Sequence, residues 1–401
     1  MNRLGVGFKL LIILLWLSGV FLSAKYIESW RINNQYSELL TPLALDVLKK
    51  QTELEIEVFA LPDSAAATLV ENFLKPLIKE LKAVEVSYID NKKNIELVQQ
   101  YNIKKQGEMI VRNGDQSFQL SSLSYETFFN GLKRLSQPQN RWIVFLENLS
   151  SHSFHKQNGL IQSNSYNSWL NQLMAANYQA VVLPWQAKMK LPNHAKLIIL
   201  AAPSVALTTD QIQWLENQIV QGRSVLWLTD PKFVTQQPAL SLMFDMLHTG
   251  AYYQDQLVLK EYPEHLINQS FDRPLDLFEV MPFETDNQPL WVNEQGQVLA
   301  ATQEIKGLGV AGLSSRLMVI GDSDFLTDQY LISGGNLEMS YRLVDWLLQN
   351  DDRIDLPSIG FDNKQLHFNA SEILWFAGIM LVLIPLLLLV MAVYLWRKTK
   401  S

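Results

Sequence analysis

The densest group of reactive side chains in this sequence is Asp322, Ser323, Asp324 and Asp328, which follows the apolar run Leu317–Ile320. Carboxylates at the end of a strand in an α/β sheet stand where ligands commonly bind. Oxygen donors so placed could hold Mg²⁺ or Ca²⁺. The same residues have a plainer use, in which Gly321 makes a turn and Asp322 or Ser323 caps the backbone that follows. Asp230-Pro231 comes after a second apolar run, Ser224–Leu228, and belongs to the same rim if the two strands are neighbours. Its plain reading is a turn opened by an Asp before Pro. His152 and His155 could meet on one helical face, but no third ligand accompanies them. Ser323 lacks a G-x-S-x-G elbow, cysteine is absent, and there is no GxxxxGK(S/T) nucleotide loop. No residue is therefore assigned to catalysis, a cofactor or a metal. Asp230, Asp322, Ser323 and Asp324 stand as a candidate ligand or interaction rim, and the enzymatic alternative is a metal-dependent reaction at the Asp322/Asp324 turn.

The elements that must position these residues alternate between strand and helix patterns, the signature of α/β domains. In a first block, Leu54–Phe59 and Val84–Ile89 read as strands and Ala65–Leu81 as a helix. Glu108–Arg112 and Ser117–Leu120 flank the hairpin turn Asn113-Gly114-Asp115, and Tyr125–Leu135 closes the block as a helix. The order β-α-β-α-β-β-α is that of a thioredoxin-like domain, without the CxxC that redox chemistry needs. A second block has strands at Trp142–Leu146, Ala180–Leu183, Leu197–Ala201, Ser224–Leu228 and Leu317–Ile320. Helices fall at Tyr166–Ala176, Asp210–Val220 and Leu337–Leu348. Strands this apolar are buried on both faces, as in an open, mostly parallel sheet of Rossmann or flavodoxin-like type. Residues 231–312 contain Pro238, Pro263, Pro274, Pro282 and Pro289 and only two short strand patterns, Gln256–Leu259 and Gln297–Ala301, so an irregular β-rich insertion is expected there.

Two apolar segments bracket these blocks. Residues 373–396, ILWFAGIMLVLIPLLLLVMAVYLW, carry no charge and at 1.5 Å per residue exceed a hydrocarbon core of about 30 Å. Trp375, Tyr394 and Trp396 suit the interfacial belts, and Arg397, Lys398 and Lys400 place the C-terminus on the cytoplasmic side. Residues 10–24 are shorter and follow Arg3 and Lys9, so they read as a signal-peptide core or an uncleaved anchor. Leu22 at the −3 position of a cut after Ala24 favours the anchor. The expected organisation is a cytoplasmic N-terminus and anchor (1–30), a thioredoxin-like domain (31–138) and an α/β domain (139–350) containing the insertion. A linker (351–372) and a final helix with its basic tail (373–401) complete it. All charges in 1–25 and 373–401 are basic, which leaves 27 basic residues against 40 acidic ones between them, about −13. A surface of that sign repels nucleic acid. The lack of cysteine suits an oxidising compartment.

Three stretches together resemble a known family. The first is Tyr36-Ser37, Leu40-Thr41-Pro42 and Leu48 with the strand at Leu54–Phe59. The second is LIILAAPSVALTTDQIQWLENQIVQGRSVLWLTDP, from Leu197 to Pro231. The third runs from Leu317 to Leu347, with the Gly-Asp-Ser-Asp-Phe turn, a Gly-Asn pair ending at Asn336 and a terminal Trp-Leu helix. They are similar to the auxiliary extracytoplasmic components of ABC transporters of the gliding-motility type, the Gldg family. Where members often carry a Gly-His-Gly-Glu-like sequence, this chain has Glu147-Asn148-Leu149-Ser150-Ser151-His152, which puts a ligand role for that loop in doubt. The resemblance implies a non-catalytic, substrate-binding-like partner of an ABC permease and, through it, of a cytoplasmic ATPase. It also adds Asn336 to the candidate rim. The expected location is the inner membrane with both termini inside, two helices in the lipid bilayer, and an ectodomain facing exported substrate or another envelope protein.

Overall fold

The structure is a computed structural model, and it describes residues 40–356 apart from 52, 82, 137–141, 148, 155–163, 187, 249, 310–311 and 355. Both expected membrane segments, and His155, lie outside the described residues. Among the described residues no helix is long and apolar enough to cross a membrane. The described residues all belong to one compact unit of a mixed α/β protein with several sheets.

Helix α1 (Pro42–Lys50) precedes β1 (Leu54–Phe59), α2 (Ala65–Ile78), β2 (Val84–Tyr88), α3 (Ile95–Gln100), β3 (Glu108–Asn113), β4 (Gln116–Leu120) and α4 (Tyr125–Leu135). After α1 the order is β-α-β-α-β-β-α, as the periodicity predicts. The strands form one sheet in the order β2-β1-β3-β4, with β1 parallel to β2 and antiparallel to β3. Gly114, at φ 60°, opens the two-residue loop of the β3–β4 hairpin. Its positive φ is the conformation glycine adopts without a steric penalty. Ser64 and Ser124 accept the N–H groups of Ala67 and Thr127, fixing where α2 and α4 begin.

The second block begins with β5 (Trp142–Glu147), α5 (Asn167–Ala175), β6 (Gln179–Pro184), β7 (Ala195–Ala201), α6 (Thr209–Val220) and β8 (Ser224–Leu228). It continues through α7 (Pro238–Met243), β9 (Leu247–His248), β10 (Leu257–Leu259), β11 (Leu275–Leu277), β12 (Phe283–Glu284) and β13 (Gln288–Val292). The last elements are β14 (Val298–Leu308), β15 (Leu313–Ile320) and α8 (Asn336–Leu347). Strands β6-β5-β7-β8-β15 run parallel in that order, then β14, β12 and β9 continue the sheet with each strand antiparallel to the one before it, and β13 also pairs antiparallel with β14. The apolar runs alternate between two cores. Ile143, Phe145, Ile199, Leu226 and Ile320 face one side with residues of α5 and α8, while Val144, Leu146, Ile198, Trp227 and Val319 face the other with residues of α6. Burial on both sides explains why these strands show no polar alternation.

Residues 231–312, expected as an irregular β-rich insertion, carry the short strands β9 to β13 and the whole of β14; β9, β12, β13 and β14 extend the main sheet, while β10 and β11 pair separately. The expected short strand at Gln297–Ala301 is an eleven-residue strand, Val298–Leu308. The first sheet is tied to the second block by buried charge. Arg342 of α8 meets Glu126 of α4 at 2.6 Å, and the Asn130 amide exchanges hydrogen bonds of 2.8 and 2.9 Å with the Ile354 backbone.

Candidate functional site

Because β5, β7, β8 and β15 are parallel neighbours, the segments after them meet at one carboxyl-end rim. The chain leaves β5 for β6 on one side and returns to β7 on the other, so strand order reverses between β5 and β7. That reversal is where open α/β sheets form a ligand crevice. Here the crevice is laced by backbone. Ser150 bridges Pro203, the Ser151 N–H donates to the Ala202 carbonyl at 2.9 Å, and the Ser204 N–H donates to the Leu149 carbonyl at 2.7 Å. Ala202, fully buried, sits at φ 46°, a left-handed conformation that costs an alanine roughly 1–2 kcal/mol. Its own N–H is held by the Leu228 carbonyl at 2.9 Å, so bonds on both flanks maintain the strain.

Asp322 is fully buried and acts as an internal cap. Its Oδ1 accepts the N–H groups of Asp324 (2.6 Å) and Phe325 (3.1 Å), and its Oδ2 accepts that of Phe278 at 2.7 Å. Burial pushes its carboxyl well above the usual range, against the pull of these donors. A carboxylate with three of its four acceptor directions turned to backbone N–H groups has little left to offer a metal. Among the described residues no cluster of three or more His, Asp or Glu could hold one. Gly321, expected to make the turn, serves close approach instead. A Cβ there would stand 2.0 Å from the Met281 carbonyl oxygen, and Gly321 bridges Leu299 and Met281 by backbone hydrogen bonds of 2.8 and 2.7 Å.

Asp324 faces a different partner. Its Oδ1 lies 3.0 Å from His152 Nε2, and His152 Nδ1 lies 2.7 Å from Ser151 Oγ. The tautomer that satisfies both contacts donates Nε2–H to Asp324 and accepts the Ser151 hydroxyl proton at Nδ1. The sequence reading missed this chain because its members are 172 residues apart. Asp230 joins the same neighbourhood: burial raises its carboxyl pKa, its Oδ1 accepts the Lys232 N–H at 2.8 Å, and it feels the charge of Asp324. Tyr166 closes the floor, its hydroxyl donating to the Ser323 carbonyl at 2.6 Å. Burial, then the charges of Asp324, Asp322 and Asp230, hold its phenol well above the ordinary value. The Ser323 and Thr229 hydroxyls are buried without a hydrogen-bond partner among the described residues.

The other two polar residues of the motif lie away from the crevice. Asp328 Oδ1 accepts the Ser168 N–H at 2.5 Å and so caps the start of α5. Asn336 is fully buried and clamps three segments. Its Oδ1 accepts the Asp276 N–H at 3.0 Å, and its Nδ2 donates to the carbonyls of Asp276, Phe325 and Tyr330 at 2.8, 3.1 and 3.1 Å. The structure thus brings Asp230, Asp322, Ser323 and Asp324 together and assigns Asn336 to the scaffold.

No sequence family matches the chain, and no curated protein does. Among solved structures, the mmIFT52 N-terminal domain is similar at 14% identity over 51% of this chain and 97% of that one, with a TM-score of 0.41. The exo-beta-1,4-mannosidase Op5Man5 from Opitutaceae bacterium strain TAV5 is similar at 15% identity over 77% of this chain, with a TM-score of 0.34. This chain spans 55% of the mannosidase's length. Likenesses this distant carry no argument about function.

Proposed function

We propose that the chain is a membrane-anchored, non-catalytic auxiliary component of an ABC-type transport system of the export or gliding-motility type. It docks on a permease through its two terminal helices and presents the α/β ectodomain outside the inner membrane. In this reading the first sheet, order β2-β1-β3-β4, is a thioredoxin-like module without CxxC. The parallel strands, order β6-β5-β7-β8-β15, are a flavodoxin-like module. The apolar segments at 10–24 and 373–396 and the three Gldg-like stretches supply the membrane and partner parts of the reading.

The observation that carries the non-catalytic part is the laced crevice, whose polar groups largely bond to the chain itself rather than standing ready for a substrate. A hydrolytic second reading has one observation in its favour, the Ser151-His152-Asp324 hydrogen-bonded chain. It ranks below because acyl transfer needs N–H donors aimed at the developing oxyanion. The Ser151 N–H is bonded to Ala202 and the His152 N–H to Ser150 Oγ at 3.1 Å. Purification of the full-length protein in mild detergent, with identification of accompanying chains, tests the proposal. The expected result is a multi-span permease with its ATPase. Isolation of the protein alone, with substrate turnover lost in Asp324→Ala, would replace it with the hydrolytic reading.

A further inference from the structure

Among the described residues, Arg223, Arg316 and Arg342 are buried arginines, and two of them have acidic partners. Arg316 donates to Glu304 and Asp351 at 2.7 Å each, and Arg342 donates to Glu126 at 2.6 Å. Arg223, at 7% exposure just before β8, makes no ion pair among the described residues. Its Nε donates to the Ala195 carbonyl at 3.1 Å, and its Nη1 donates to the side-chain oxygens of Gln218 and Gln221. These acceptors satisfy hydrogen-bond geometry but carry no formal charge, and Nη2 has no partner among the described residues. Burial alone acts on Arg223 and lowers its pKa. Burial also pulls Arg316 down, but its bonds to Asp351 and Glu304 hold it above the ordinary value. A buried charge without a counter-charge is costly enough that proteins rarely keep one.

Arg223 lines a groove of about 660 Å³ together with Lys188, Lys190 and Trp214. Both lysines are exposed and neither makes an ion pair among the described residues. Asp210, also on the lining, is one acid against three cations. On an ectodomain with a large acidic excess this is a local reversal of sign. We propose that the groove binds a phosphate group, with Arg223 Nη2 donating to one oxygen while Lys188 and Lys190 neutralise the others. A carboxylate matches an arginine best through the two-nitrogen fork, and here Nε and Nη1 are already engaged by neutral oxygens. A tetrahedral oxyanion can engage one nitrogen end-on and still reach two ammonium groups. The phosphate can be free in solution or belong to a phospholipid headgroup.

Titration calorimetry of the full-length protein in detergent with inorganic phosphate, at chloride-matched ionic strength, tests this. The expected result is saturable binding, weakened about tenfold or more in Arg223→Gln, the loss of one charge-assisted hydrogen bond. The double variant Lys188→Gln/Lys190→Gln changes only exposed side chains and keeps the test valid if Arg223→Gln does not fold; it is expected to weaken binding several-fold. Repeating the titration in nanodiscs separates the sources. Phosphate binding retained in phosphatidylcholine but abolished in phosphatidylglycerol assigns the site to a headgroup, and binding retained in both assigns it to soluble phosphate. Absence of saturable binding at millimolar phosphate by the folded wild type, or binding unchanged in the lysine variant, overturns the proposal.

Discussion

The two ends of the parallel strands handle buried charge in opposite ways. At the carboxyl end Asp322 sits among three backbone N–H donors, Asp324 is matched to His152, and Asp230 holds the turn at Lys232. At the amino end Arg223 holds its charge among neutral oxygens and keeps one nitrogen unpartnered among the described residues. The difference teaches that acidic residues clustered in sequence need not make a binding site, whereas one cation with incomplete partners can. A carboxylate can be neutralised in effect by backbone dipoles that the fold supplies at every turn. The third nitrogen of a guanidinium has no such local supply.

Substitution at the two ends gives the largest contrast. Asp322→Ala leaves three N–H groups without their acceptor, at about 1–3 kcal/mol for each buried group. Urea unfolding of that variant should therefore show a loss of at least about 3 kcal/mol, or no folded protein. Arg223→Gln should cost less, about 1–2 kcal/mol, because it strands only neutral acceptors at Ala195, Gln218 and Gln221 and no counter-charge. Equal losses at both positions would erase the distinction. Asp324→Ala, which removes one partly exposed contact, should cost about 1 kcal/mol.

A pH titration sharpens the comparison at the amino end, where cationic surroundings act on His265. Burial and then the Arg316 charge lower its pKa from 6.5 to about 4. Its Nδ1 accepts the Ile267 N–H at 3.1 Å, and its Nε2 lies 3.0 Å from Thr302 Oγ1, a pattern that the neutral ring satisfies. The unfolded chain takes up this proton first, so its contribution to stability is full above about pH 6.5 and is lost as pH falls towards about 4. The loss should reach up to about 3 kcal/mol over that window. His265→Gln should flatten the pH dependence, by about 2 kcal/mol between pH 7 and pH 5 as measured by urea unfolding at those two values.

Much of the fold was legible because its signals are local. The runs at Trp142–Leu146 and Ser224–Leu228 are apolar on successive residues, which only a doubly covered strand requires, and Thr208 followed by Gln211 announces the capping box of α6. Strand β14 was only half legible. Its first residues are buried, while its far half alternates towards solvent with Glu304 and Lys306 and so resembles a polar loop. Prolines between 231 and 312 suggested irregular chain, yet Pro289 lies within β13 next to a register shift that accommodates it. In the rim, the Gly-Asp-Ser-Asp turn was visible as a motif, but its role was not. Asp322 reaches Phe278, 44 residues away, and such partners leave no trace in spacing. Asn336 was readable as part of a resemblance but not as a clamp. Its neighbour Gly335 serves close approach, since a Cβ there would lie 2.6 Å from the Phe271 ring, so that pair is scaffold as well. Arg223 carried no signal at all, because what distinguishes it is a missing partner.

Smaller effects probe the crevice itself. Ala202→Gly should raise stability by up to about 1 kcal/mol by removing the left-handed penalty, partly offset by the greater freedom of glycine in the unfolded chain. A loss instead would mean that the Ala202 methyl group contributes more by packing than its backbone conformation costs.

The most direct test of a structural, non-catalytic rim is a null effect. Ser151, His152 and Asp324 form a hydrogen-bonded chain that a hydrolase would use to activate the serine. Full-length protein treated with a fluorophosphonate probe and analysed by mass spectrometry should carry no adduct at Ser151, because the N–H groups of Ser151 and His152 are already bonded within the fold. Stoichiometric labelling of Ser151 that disappears in His152→Ala would contradict the account and make this crevice an active site.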